Sequence, residues 1–189
     1  MSELEQLKRS IDRLESRFDI SALVTAYAVA CDEHDMPRLT DLFTVDAVFD
    51  SPSGAMNAHG RAAIEAMYIE LFKVRGPGYH WTHDHVIEFD ENDADRATGL
   101  VLSHAETCPA EVVSVAAMRY NDEYRRENGR WQFSHRTINF LYYVPVTEFS
   151  TVFKTPNRLS IRGERLPADY PETLACWQAF HAQYVAGSK

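Results

Sequence analysis

The sequence predicts an α+β fold, in which N-terminal helices and a curled antiparallel sheet close into a cone with an internal cavity. Two observations carry this. Up to Arg75 the apolar residues recur mostly at helical spacing, and after Gly76-Pro77-Gly78 the pattern changes to long extended segments separated by short turns. Helices followed by a meander of long strands is an α+β plan, and strands of that length must curl to bury one face against the helices. The chain of 189 residues, 45% of them hydrophobic, is within the size of one domain and can bury a sizeable core.

In chain order, Leu4, Leu7, Ile11, Leu14 and Phe18 alternate in steps of three and four, one apolar stripe among charged positions. The stripe is short for a coiled coil, so the expectation is a helix lying on its own domain. Ile20, Leu23, Val24, Tyr27, Ala28 and Cys31 predict a second helix that runs out near residues 33–35. Asp35 can cap a third, with Pro37 near its first turn and Leu39, Leu42 and Phe43 inward. Residues 47–50 read as a short strand ending in the turn Ser51-Pro52-Ser53-Gly54, with 55–59 as its returning partner. Gly60 opens a helix through Arg75, with Ile64, Met67, Tyr68 and Leu71 at helical spacing. Residues 79–89, 97–108, 112–125 and 131–144 read as strands joined at 90–95, 109–110 and 128–129, where Asn128-Gly129 is the strongest hairpin signal. Beyond Thr147, Pro156, Pro167 and Pro171 interrupt the pattern, and 171–184 reads as a last helix carrying Leu174, Trp177, Phe180 and His181. The expected division is a cone domain at 1–146 and a C-terminal extension at 147–189, packing on its own or a neighbouring subunit.

The net charge of −9 and the scatter of basic residues argue against a nucleic-acid surface, because phosphate binding needs a dense Lys/Arg patch. No apolar run approaches a membrane span, and Met1 to Ser10 is polar and charged, so no membrane and a cytoplasmic protein are expected. The three cysteines, Cys31, Cys108 and Cys176, lack the spacing of a disulfide framework or a zinc site and read as buried small hydrophobes.

His80, His83 and His85 form the one histidine cluster. A metal reading is weak: in an unbulged strand His80 faces away from the other two, and no nearby carboxylate or cysteine completes a ligand set. His83 and His85 are expected at surface or edge positions. Asp32 ends a helix, where the negative end of the macrodipole disfavours a carboxylate, so a compensating partner is expected nearby. A histidine suits, because a carboxylate on one ring nitrogen fixes the tautomer and raises the basicity of the other. Tyr27 precedes Asp32 by five residues, about 140° around a helix; it is either a core aromatic or a phenol that donates to substrate. Arg136 lies on a strand with Ser134, Ile138 and Phe140 as alternation neighbours, and is either paired with an acid or aimed into a polar cavity. His104 and Asn139 are mid-strand polar residues, read as candidate substrate-binding groups, and Asn139 shares a face with Trp131, Phe133 and Leu141.

These residues together resemble the SnoaL-like branch of the nuclear-transport-factor-two-like superfamily over roughly residues 4–145. The stretches that carry it are Ile20 to Tyr27 followed by Asp32, Leu39 and Leu42-Phe43; His80 placed nine residues before Phe89; and Tyr120-Asn121-Asp122-Glu123-Tyr124 with Asn128-Gly129-Arg130-Trp131-Gln132-Phe133. The resemblance implies a cystatin-like roll, with Asp32 and His80 at the positions of an Asp–His dyad. It sets Arg136 at a catalytic arginine of the branch's dehydrochlorinase, Tyr27 at a tyrosine of one of its dehydratases, and His104 near a second dehydratase histidine. The activity it implies is a cofactor-independent lyase or dehydratase, or an isomerase or cyclase, acting on a small hydrophobic substrate by proton abstraction. A non-catalytic binding module and the small subunit of a ring-hydroxylating dioxygenase share the fold and stand as alternatives. No metal or cofactor is expected, and a homo-oligomer, dimer or trimer, is.

Overall fold

A computed structural model describes residues 2–161 and 163–185. The N-terminal stripe and the segment after it form one helix, α1 (Glu3–Glu33), rather than the two expected, since nothing between Phe18 and Ile20 breaks the backbone ladder. A capping box starts it: Ser2 Oγ accepts from the Glu5 N–H while the Glu5 carboxylate accepts from the Ser2 N–H. His34 ends it in the left-handed region at φ 54°. Its apolar packing into the core comes from the second half, through Ile20, Leu23, Val24, Tyr27, Ala30 and Cys31. The first half does not lie on the domain by its apolar stripe, as expected. Leu4, Leu7, Ile11, Leu14 and Phe18 are exposed, and Ser16 and Asp12 face the sheet, where Arg126 binds both.

Asp35 caps α2 (Met36–Asp41) by accepting from the Arg38 N–H, with Pro37 in the first turn. The strands β1 (Phe43–Asp50) and β2 (Asn57–His59) and helix α3 (Arg61–Val74) follow, then the meander β3 (Tyr79–Phe89), β4 (Arg96–Thr107), β5 (Ser114–Glu127) and β6 (Arg130–Pro145). The sheet order is β2-β1-β6-β5-β4-β3, and it is mixed rather than purely antiparallel because β1 runs parallel to β6. Register shifts interrupt β3/β4 between Thr82 and His85, and β5/β6 at Ala117/Met118 and Glu123/Tyr124. Each bends its strand and resets which side chains face inward. The curled sheet wraps a core rich in aromatic residues, with Tyr27, Phe43, Phe49, Tyr68, Tyr120, Tyr124 and Phe133 buried against one another.

The C-terminal extension packs on its own chain. A 3-10 segment (Val146–Lys154) sets Phe149 and Phe153 against Tyr142, and β7 (Leu159–Ile161), paired with β8 (Glu164–Leu166), joins the edge of β6. Asp169 continues that edge: its N–H donates to the Phe140 carbonyl and its carboxylate accepts from the Phe140 N–H. Arg158 locks the tail with two bonds to Glu172 at 2.7 and 2.9 Å. The last helix, α4 (Ala175–Tyr184), buries none of its residues and leaves Trp177 and Phe180 exposed. Among the described residues no helix is long and apolar enough to cross a membrane. Cys31 is buried and Cys108 partly so, whereas Cys176 is exposed, contrary to its reading as a core residue.

Candidate active site

Three chain segments meet beside the end of β4: the last turn of α1, the end of α3 and the first residues of β3. The connection between α3 and β3 runs tight against the end of β4. A side chain at Gly76 would sit 3.1 Å from the Cys108 carbonyl oxygen, so the glycine permits that approach. This brings Arg75, His80 and the end of α1 into one place.

His80 and Asp32 are brought into direct contact. His80 Nδ1 lies 2.6 Å from Asp32 Oδ1, and the His80 backbone N–H donates to Oδ2 at 3.1 Å. Both oxygens of a carboxylate at a helix C-terminus are thereby satisfied, which answers the unfavourable macrodipole. Facing a carboxylate at that distance, Nδ1 carries the proton, and Nε2 presents its lone pair to the cavity. The His80 side chain is 6% exposed. Burial holds it below the usual imidazole value, and the hydrogen bond to Asp32, which works in the opposite direction, does not overcome this. The sign is the reverse of what an Asp partner alone leads one to expect. His80 is therefore neutral at neutral pH and able to accept a proton. Arg75 Nη2 stands 3.5 Å from Nε2.

Tyr27 projects from α1 into the same space and shares a hydrogen bond of 2.6 Å with the hydroxyl of Tyr68 from α3. Burial drives both phenols well above their usual value, so each stays protonated and can donate. Arg136 is fully buried behind Tyr27 and Tyr120. Its guanidinium lies 4.2 Å from each of their ring centroids and 3.9 Å from that of Phe133. It binds Asp122 in bidentate fashion, Nε to Oδ1 at 2.8 Å and Nη2 to Oδ2 at 2.7 Å. Burial alone would lower its value, but the Asp122 carboxylate more than offsets this and holds it charged. A chain of bonds continues outward from Asp122 through the Tyr124 hydroxyl (2.8 Å) to His85 Nε2 (3.1 Å). Arg136 thus has the acid partner of one expected reading, and it meets the cavity only through the two tyrosine rings.

The cavity is lined by Tyr27, Tyr68, Arg75, His80, Tyr120 and, around them, Met56, Leu71, Met118, Ile138 and Phe140; its free space is about 70 Å³. A more open depression of about 450 Å³ lies on the outer face of the sheet, lined by Val86, Glu88, Leu100, Asn121, His135 and Thr137. The dyad and the buried phenols do not line it, so the smaller, enclosed cavity is the candidate site.

Two expected site residues are elsewhere. His104 is exposed on the outer face, bonded to His83 at 2.8 Å, because alternation along β4 turns Ala105 and Thr107 inward and His104 out. Asn139 also faces outward, opposite Arg119, and is buried with its amide on the Thr137 carbonyl. The shift at Glu123/Tyr124 puts Phe133 on the inner side with Arg136, and Ile138 and Phe140 stay inward while Asn139 does not. His85 lies on the edge strand β3, within the expected surface or edge positions, but the shift in β3 turns its half-buried ring in to Tyr124. Among the described residues no cluster of three His, Cys, Asp or Glu side chains is placed to hold a metal ion. Sequence reasoning missed Tyr68 and Arg75. Tyr68 sat among apolar helix positions and passed for core, and the only signal for Arg75 was its place before a Gly-Pro-Gly turn.

A helix-covered, curled sheet with an Asp–His pair whose histidine lines an inner cavity defines a class of small α+β cavity proteins. The chain belongs to the SnoaL-like domain family, whose model matches residues 12–137. It is 26% identical over 144 residues to the gamma-hexachlorocyclohexane dehydrochlorinase of Sphingobium indicum, covering 72% of this chain and 87% of the relative. The fold is shared with a type 2 hexachlorocyclohexane dehydrochlorinase (TM-score 0.67, 24% identity, 72% of this chain and 93% of that one). A candidate scytalone dehydratase from Novosphingobium aromaticivorans shares it as well (TM-score 0.66, 17% identity, 72% and 91%). The chain's distant relatives therefore include lyases.

Proposed function

We propose that this chain is a lyase that removes a proton from carbon, with His80 as general base and a small, largely apolar substrate in the cavity beside it. The observation that supports this reading is the dyad's geometry: Nδ1 is tied to Asp32 at 2.6 Å, and His80 lines the cavity as a neutral base. As Nε2 takes the proton, the C–H electron pair becomes a C=C bond and the leaving group departs from the adjacent carbon with its own pair. A departing hydroxide takes a proton from the Tyr27 hydroxyl and leaves as water. Tyr68 holds the Tyr27 oxygen through their shared bond; once the product leaves, water entering the cavity carries the imidazolium's proton back to Tyr27, so the protons balance. Arg136 acts on Tyr27 through the ring. Its charge works against the burial that raises the Tyr27 value and so favours proton donation. It is a positioning residue, since Tyr27 and Tyr120 separate it from the cavity.

The test is His80→Ala on a panel of β-hydroxy carbonyl compounds, with binding of their dehydrated products measured in parallel. Turnover is expected to fall about 10²–10⁴-fold, while product binding changes little. Equal loss of both points to a collapsed pocket. Tight product binding with no turnover by the unsubstituted protein makes the chain a binding module.

A further inference from the structure

The lining of the cavity contains one permanent cation, Arg75, and no carboxylate. Arg126, Arg136 and Arg158 each bind an acid, at 2.6 to 2.8 Å. Arg75 makes no ion pair among the described residues, and its polar side-chain partner is the His80 ring nitrogen at 3.5 Å. It is not a loose surface side chain. It is partly buried, its backbone pairs with Pro109, and the following Gly76 N–H donates to the Cys108 carbonyl at 3.0 Å. The chain therefore spends a fixed backbone position on aiming an unmatched guanidinium at the atom that takes the proton.

An unmatched cation discriminates between ligands. A neutral molecule entering the cavity strips water from Arg75 and returns at most the weaker bond of an uncharged acceptor, whereas a carboxylate offers a charge-assisted bond of about 2.7–2.9 Å. We propose, building on the lyase reading above, that Arg75 binds the anionic end of the substrate and that the substrate is a short-chain carboxylic acid. With Nη2 only 3.5 Å from Nε2, an acid held on Arg75 places a carbon one or two bonds from its carboxylate against the base. Met56, Leu71, Ile138 and Phe140 enclose its hydrocarbon part. The free space of about 70 Å³ favours a chain of few carbons.

Crotonate and crotonamide test this by isothermal titration at neutral pH, since they share shape and differ in charge. The unsubstituted protein is expected to bind crotonate at least about tenfold more tightly than the amide. Arg75→Gln equalises the two by weakening crotonate alone, and Arg75→Lys keeps part of the preference. A smaller ratio in the unsubstituted protein, no measurable binding of crotonate, or a preference that survives Arg75→Gln overturns the proposal. His80→Ala keeps the acid-over-amide ratio. The binding ratio thus reports on Arg75 and turnover on His80, so either reading can fail without the other.

Discussion

Asp32→Asn keeps the shape of the side chain that grips His80 and removes its charge. In the native pair, Oδ1 lies 2.6 Å from Nδ1 and Oδ2 accepts the backbone N–H at 3.1 Å, with side chains 16% and 6% exposed, so solvent screens the bond poorly. A hydrogen bond to a charged acceptor contributes about 1.5–3 kcal/mol against about 1 for a neutral one, so the substitution withdraws about 0.5–2 kcal/mol from the imidazolium. At about 1.36 kcal/mol per tenfold, the rate falls by about two- to thirtyfold from this bond alone. It falls further if the new amide presents its NH₂ to Nδ1 and turns the ring to the wrong tautomer. The pH dependence has a definite sign. Burial, the largest influence, already holds His80 below the usual imidazole value near 6.5, and Asp32 works against it. Without the carboxylate, burial and Arg75 act unopposed, and the acid limb of the pH profile moves lower still. Ring-nitrogen NMR followed from acidic to neutral pH measures this without a substrate. A native ring protonated on Nε2 at neutral pH, or a titration that moves upward in the variant, refutes the dyad as described.

Tyr27→Phe leaves the Tyr68 hydroxyl buried without its partner, at a cost of about 1–3 kcal/mol in urea unfolding, and Tyr27→Phe/Tyr68→Phe costs less than the sum of the two single changes; strict additivity shows the 2.6 Å bond to be immaterial. We propose that a second copy of the chain covers the exposed a/d-spaced stripe of α1, because Lys8 and Glu15 flank it where antiparallel pairing sets them opposite each other. Sedimentation is expected to give a dimer or larger species that Leu7→Glu/Leu14→Glu converts to 21.6 kDa; an unsubstituted protein already at that mass removes the idea.

The helices, the turns and the long strands of this chain could be read because each rests on local pattern. Asp35 at an N-cap, Gly60 before α3 and Asn128-Gly129, both at positive φ, between β5 and β6 act within a few residues of themselves. The dyad was legible for a different reason: family likeness placed Asp32 and His80 together, whereas composition and spacing alone left the pair open. The split expected in α1 failed because a change of buried face is not a break in the backbone. The exposed stripe was read as buried because periodicity reports that a face is apolar and not what covers it.

The faces of Arg136 and Asn139 depended on something further from the sequence. Strict alternation through β6 grouped Arg136 with Ser134 and Asn139 with Phe133, yet the shift opposite Glu123/Tyr124 puts Phe133 under the Arg136 guanidinium. A bulge has no residue signature of its own here, and one extra residue turns over every side chain beyond it. The same device in β3 turns His85 inward to Tyr124, and so completes the chain of bonds that ends at Arg136. The bulges that bend the sheet into a cone therefore also select which polar groups it encloses. The buried charge they enclose is costly unless paired, and Asp122, two residues from Tyr124 on the next strand, pairs it. Curvature, ion pair and phenol wall are thus linked consequences of the same register. A substitution that straightened β6 would be felt at Tyr27 and the cavity before it was felt at the sheet's own edge.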